Sequence, residues 1–326
     1  MSNSDPKESV VIGVDVGGTK IATALVDLRG NILRETRHPT DVSNPQATLD
    51  GIAQAIDHII GSSGFARADI VGIGLGIPGL VDPVNGIGIA SVNLNWRNVP
   101  VKAELERRLS IPCAIENDVK AAALGEARYG AGRGMKNLIY MTIGTGIAVA
   151  FVLDNEIYSG SKGMAGEVGH AIIERDGPLC KCGGHGCLEA LAAGPAIAAR
   201  AGDKLHSGRR SILSQLPIDS LTAEDVFHAA AQQDELALEA VKEAGYYLAF
   251  AIQFLALAYD PQVVVLGGGV PQAGEVFLHP VCQSLERFAA ENWVFGELYH
   301  PDFVQVTKLG TDIGVLGAAA LAAPTH

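Results

Sequence analysis

Apolar residues near the start of the chain fall in short, almost unbroken runs. Such β-rich apolar runs read as strands. Residues 10–15 and 21–27 are two such runs, separated by Gly17-Gly18, and Arg29-Gly30-Asn31 turns the chain into a third at 32–36. Together they predict a β-meander. The period then changes: Pro45 opens a stretch in which Leu49, Ile52, Ala53, Ile56 and Ile60 share one helical face. Residues 70–76 and 111–116 read as further buried strands, the second preceded by a short amphipathic helix around Val101–Leu109 and followed by an Ala-rich helix at 119–128. Strands alternating with helices place the chain in the α/β class.

The same pattern recurs. Residues 11–27 and 138–154 each read apolar strand, Gly-rich turn, apolar strand, terminal Asp, so that Gly17 falls on Gly144 and Asp27 on Asp154. Two matching hairpins predict a duplicated domain with a cleft between the copies. The boundary is expected near residues 117–119, giving a small α/β domain over 1–118 and a large one over 119–310. A small-residue helix at 314–323, within a terminal segment of about 311–326, is expected to pack back on the first domain. The longest apolar stretch, 249–259, contains Gln253 and stops at Asp260-Pro261. It is too short to span a bilayer and reads as a buried core helix.

Composition narrows the classes. Of 326 residues 48% are hydrophobic and 18% charged, which excludes a disordered chain. A net charge of -12 argues against a nucleic-acid surface. An acidic protein can still bind anions locally, through backbone N–H groups and a metal cation. Residues 1–9 lack the apolar core of a signal peptide, so no targeting segment and a cytoplasmic location are expected. Three of the five cysteines fall within eight residues, which suits a metal site better than a disulfide framework.

Five segments carry chemistry. In Asp15-Val-Gly-Gly-Thr-Lys20 the turn formed by Gly17, Gly18 and Thr19 leaves N–H groups to point at an anion; Thr19 and Lys20 add donors, and Asp15 can hold hydrated Mg²⁺. The same residues also make an ordinary hairpin turn. Gly144-Thr145-Gly146 occupies the matching place in the second half, so the two turns can grip one polyphosphate. Gly267-Gly268-Gly269 ends an apolar strand, where a nucleoside can pass close to backbone or the chain can simply turn. In Glu116-Asn117-Asp118, a carboxylate at a strand–helix junction can take a proton from an attacking hydroxyl while Asn117 holds a neighbouring one. The same residues are also good N-caps.

The most specific pattern is Glu167-Val-Gly-His170 followed by Cys180, Cys182, Cys187 and Glu189. One His and three Cys supply a closed tetrahedral Zn²⁺ set, hence a structural metal. His185 competes with His170 for the fourth place but lies inside the tight loop. The imidazole nitrogen left free, with Glu167 and Glu189, can line a pocket for a polyol.

The ordered set resembles the ROK family of sugar kinases and repressors. It comprises Asp-x-Gly-Gly-Thr-Lys, Gly-x-Pro-Gly at 76–79, Asn-x-x-Trp at 93–96, Glu-Asn-Asp, Gly-Thr-Gly, Glu-x-Gly-His and the cysteine motif. The resemblance covers nearly the whole chain. It implies a two-domain actin/hexokinase/heat-shock-ATPase-like (ribonuclease H-like) fold and ATP-dependent phosphorylation of a hexose, most like the glucokinase branch. N-acetylmannosamine, N-acetylglucosamine or fructose are the other acceptors it allows, and a non-catalytic sugar-sensing regulator is the alternative of another class. Asp118 matches the family's catalytic base. Asn117, Glu167, His170 and Glu189 match sugar contacts, with Gly79 and Asn93 on sugar loops. Thr19, Lys20, Thr145 and the turn at 267–269 match the ATP side, and Asp15 the Mg²⁺ environment. With a first strand starting near residue 10, the winged helix of the family's repressors is not expected, and the family implies a homodimer or homotetramer. After Gly146 this chain has Ile-Ala-Val-Ala-Phe where many members carry further glycines, so a stiffer second turn is expected.

Overall fold

The structure, a computed structural model, describes residues 9–324; positions 325–326 of the expected terminal segment, and positions 1–8, lie outside it. By compactness the described chain forms two units. One holds residues through Lys136, Ala150–Ala165 and those from Thr307 onward; the other holds Asn137–Val149 and Gly166–Val306.

The first unit opens with the meander β1 (Val10–Val16), β2 (Lys20–Asp27) and β3 (Ile32–Pro39), followed by α1 (Pro45–Ser63) and β4 (Ile70–Ile77). A small antiparallel sheet, β5 (Leu80–Asp82), β6 (Ile87–Ser91) and β7 (Trp96–Val99), precedes α2 (Val101–Leu109), β8 (Cys113–Asn117) and α3 (Asp118–Tyr129). The main sheet has the order β3-β2-β1-β4-β8, with β1 antiparallel to β2 and parallel to β4. The continuous apolar runs follow from its two covers. Ile12, Val14, Val16, Ile21 and Leu25 join Leu49, Ile52, Ile56 and Leu105 in one core. Val11, Ala24 and Val26 join Val315, Leu316 and Ala319 in another. β3 runs three residues beyond the expected Thr36, because the added Arg37, His38 and Pro39 continue a polar edge strand without apolar periodicity.

The second half of the chain contributes β9 (Leu138–Ile143), β10 (Ile147–Leu153) and β11 (Glu156–Tyr158), then α4 (Leu188–Ala192), α5 (Gly194–His206), α6 (Ala223–Ala231) and α7 (Glu235–Tyr259). After these come β12 (Val263–Gly267), α8 (Glu275–Glu291), α9 (Trp293–Leu298), β13 (Val304–Val306) and α10 (Ile313–Ala322). The second sheet runs β11-β10-β9-β12-β13, with β12 parallel to both β9 and β13. Taken strand for strand, this is the order of the first sheet. The hairpin repeat is thus the start of a repeated five-stranded topology, with β5–β7 an insertion in the first copy.

One expectation is corrected. The stretch 249–259 is the end of the 25-residue helix α7, and it is not buried all round. Its inner face packs against α4, α5, α6 and α8, while Tyr246, Phe250, Phe254 and Leu257 form an outward apolar stripe, with Phe254 65% exposed. Apolar content alone does not tell which face of a helix is covered.

The C-terminal helix α10 lies against β1, β4 and α3, and glycines let the backbones meet. A Cβ at Gly74 would stand 1.8 Å from the Ala318 carbonyl oxygen, and one at Gly317 2.4 Å from that of Ala121. Gly74→Ala must therefore push α10 off the sheet. It is expected to destabilise the protein by about 1–3 kcal/mol, read as a lower urea midpoint at unchanged m-value.

Candidate active site

Asn117 ends β8 and caps α3: its side-chain oxygen accepts from the Val119 and Lys120 amides at 3.1 and 3.2 Å. The helix therefore starts at Asp118, one residue earlier than its apolar pattern suggests. The Asn117 amide nitrogen donates to Asp118 Oδ1 and to the Gly79 carbonyl, both at 3.0 Å. Asp118 Oδ1 also accepts from the Val119 amide at 2.9 Å. Capping and positioning are thus one arrangement: the cap orients the carboxylate and ties it to the β4–β5 turn. Gly79 is obligatory there, since its φ is +103° and a Cβ would lie 2.3 Å from the Ala90 oxygen. Glu116, one residue back, is buried. Burial pushes its carboxyl above the usual range, opposed by the Asn117 amide and by Lys120.

The β1–β2 turn closes with the Gly17 amide donating to the Lys20 carbonyl at 2.9 Å, and the Thr40 hydroxyl donates to the Gly17 carbonyl at 2.7 Å. Thr19 and Lys20 stay exposed. Asn93, on the β6–β7 loop, passes so close to Gly18 that a Cβ there would be 3.0 Å from its carbonyl oxygen. Asp15 is the penultimate residue of β1, just ahead of this turn. Burial, then the Asp118 charge, push its carboxyl up to about 6, with Lys20 opposing. A carboxyl raised by burial and by a neighbouring carboxylate is a donor a divalent cation would relieve, and all-oxygen ligands fit Mg²⁺.

In the second unit the β9–β10 turn closes with the Gly144 amide donating to the Gly146 carbonyl at 2.9 Å. The Gly194 amide, at the start of α5, donates to the Gly144 carbonyl at 2.9 Å. Glu189 on α4 accepts from the Ile147 amide at 3.1 Å, so this carboxylate is tied to the turn itself. Gly144, Thr145 and Gly269 line a cavity of about 810 Å³ with Gly194, Thr222, Phe227, His228 and Gln272. Gly268 holds φ +89° beside the Ile143 backbone, while nothing lies within 4 Å of a Cβ at Gly269. The cavity has the size and the mixed apolar–polar wall of a small-molecule site. Its α5 and α6 walls were not legible: Thr222 and Asp225 form an ordinary capping box, and nothing in that pattern marks a pocket.

Glu167 and His170 are exposed on a short turn whose Gly169 packs on the Ile147 backbone. The ligand atoms of His170, Cys180, Cys182 and Cys187 all lie within 4.8 Å of one another. Two edges, Cys180 Sγ to His170 Nδ1 and Cys182 Sγ to Cys187 Sγ, are each 3.7 Å. Ligands about 2.3 Å from a tetrahedral zinc would be separated by about 3.7–3.8 Å, so the set fits that ion. His185 is turned away, its Nδ1 3.2 Å from the Gly177 carbonyl. Burial, then contact with Cys182 and Cys180, raises the Cys187 thiol to about 12; a cation reverses that cost by binding thiolate.

The ROK family profile matches residues 11–324. The glucokinase of Halalkalibacterium halodurans is 39% identical over 315 residues, covering 95% of this chain and 94% of that protein. The crystal structure of a ROK family glucokinase from Streptomyces griseus in complex with glucose and AMPPNP superposes with a TM-score of 0.76 at 33% identity, covering 96% of this chain and 99% of the other. The ROK hexokinase of Thermus thermophilus does so at 0.79 and 31%, covering 96% and 97%.

Proposed function

The chain belongs to the ROK family, and on that premise we propose that it phosphorylates a hexose with ATP, glucose to glucose 6-phosphate in the first instance. The observation that carries the reading is Asp118, whose carboxylate is held at the head of α3 by the Val119 amide and Asn117. In the proposed step it accepts the proton of a sugar hydroxyl as that oxygen attacks the γ-phosphorus and ADP leaves. Asn117, Glu167, His170 and Glu189 hold the other hydroxyls, with Gly79 and Asn93 shaping the loops. Thr19, Lys20, Thr145 and the amides of the glycine turns receive the phosphates, and the cavity beside Gly269 takes the nucleoside. Asp15 would hold Mg²⁺, which when bound neutralises phosphate charge. The Cys₃His set would hold structural Zn²⁺, fixing the His170 ring through Nδ1 and leaving Nε2 for the sugar. A coupled ADP-release assay over hexoses and N-acetylhexosamines tests the reading. Turnover confined to an N-acetylhexosamine or fructose would change the acceptor, and none with any sugar would favour the regulator.

The raised Asp15 carboxyl adds a pH signature. A carboxyl titrating near 6 is ionised above that pH and loses its charge below it. The apparent Mg²⁺ requirement at saturating nucleotide is therefore expected to rise about fourfold from pH 7.5 to 5.5 by simple ionisation. A flat requirement in buffered free Mg²⁺ would contradict this role for Asp15.

The reading includes a cytoplasmic homodimer or homotetramer that binds no nucleic acid. Among the described residues no helix is long and apolar enough to cross a membrane. The outward stripe of α7 supports self-association, since contiguous apolar surface on that scale marks interfaces. Phe254→Glu is expected to shift the light-scattering mass to that of a monomer.

A further inference from the structure

A second cavity, of about 630 Å³, opens in the first unit at the C-terminal end of α3. Three segments bring arginines to it: Arg29 from the β2–β3 turn, Arg128 from the last turn of α3, and Arg133 from the segment after it. No Asp or Glu is among its described lining residues, a local reversal in a chain of net charge -12. The wall is built, not incidental. Asp27 holds the β2–β3 turn by accepting from the Arg29 and Asn31 amides at 2.9 and 2.8 Å. Arg128 is held by the Ala323 carbonyl at 3.0 Å, and the Asn155 amide donates to the Lys136 carbonyl at 2.9 Å. Gly30 makes room for the Tyr129 ring, which a Cβ would meet at 2.5 Å. The Tyr129 hydroxyl is enclosed near the Arg128 guanidinium, with no well-formed hydrogen bond among the described residues.

We propose that this cavity binds a small metabolite bearing a phosphate ester. Three guanidiniums offer more donors than one carboxylate can accept, whereas a phosphate dianion presents three terminal oxygens and matches the guanidinium fork. The volume exceeds what inorganic phosphate needs, and Leu124, Ala127 and Pro324 give an organic body an apolar wall. The helix end contributes carbonyls that repel an anion, so the arginines must dominate.

The test is calorimetry on the full chain with glucose and AMPPNP saturating, so that other phosphate-binding turns are blocked. The probes are inorganic phosphate, glucose 6-phosphate, fructose 1,6-bisphosphate, phosphoenolpyruvate and citrate. At least one ester is expected to bind saturably and more tightly than inorganic phosphate or citrate. Arg133→Gln should weaken that ester by about tenfold or more, the loss of one charge-assisted contact. That variant should keep the wild-type melting temperature and sugar phosphorylation without the ester. No saturable ester binding, binding equal to that of citrate, or full affinity in Arg133→Gln would each overturn the proposal.

Discussion

Asp118→Asn is expected to lower kcat for sugar phosphorylation by about 10²–10⁴-fold, the usual share of a positioned general base. The sugar Kd, measured by calorimetry, should stay within a few-fold of wild type. The substitution isolates the proton-accepting role because an asparagine oxygen can still accept from the Val119 amide, as Asp118 Oδ1 does at 2.9 Å. The cap of α3 belongs to Asn117 and is untouched. Removing the carboxylate also relieves Asp15, whose carboxyl is raised partly by the Asp118 charge, so the pH at which the Mg²⁺ requirement rises should move down in this variant. Near-normal turnover would remove Asp118 from the proton-accepting role. Loss of sugar binding together with turnover would make it a positioning group instead.

Cys182→Ser is expected to release the metal and destabilise the protein by about 3 kcal/mol or more, the range in which loss of a bound metal belongs. For a unit of this size that lowers the melting temperature by roughly 6–12 °C. Cys182 is exposed while Cys180 and Cys187 are buried, so serine at 182 creates no cavity and the loss reads out ligation. Metal analysis should find one zinc per chain in the wild type and none in the variant. Activity should fall as well, through His170, whose ring the metal would fix. A zinc-free wild type with full activity would overturn the Cys₃His reading.

Much of this architecture is written in local pattern. The meander over β1–β3, helix α1 and the second hairpin follow from apolar runs, glycine turns and a 3.6-residue period, each of which acts over a few residues. The metal set is legible for the same reason: Cys180, Cys182 and Cys187 sit on one loop, and His170 lies ten residues before it. The chemistry of Asp118 is legible only as a choice between cap and base. In the structure the cap is Asn117, whose side-chain oxygen accepts from the Val119 and Lys120 amides.

What the local pattern does not carry is everything that depends on which distant segments meet. The wall of the large cavity comes from α5, α6 and the turn after β12, segments with ordinary helix signals. The arginine-lined cavity gathers residues 29, 128, 133 and 155, none part of a motif. Glycines serve packing as well as turns, since Gly74 and Gly317 let α10 touch its neighbours. The outward stripe on α7 is apolar by sequence and exposed only because the other helices cover the opposite face. Sequence by itself determined the elements, the repeat, the family and the grouping of three cysteines with one histidine, because those rest on short-range periodicity and fixed spacing. Tertiary structure alone decided the cavities, the exposed face and the partners of each carboxylate, because burial and charge environment are properties of what is packed alongside.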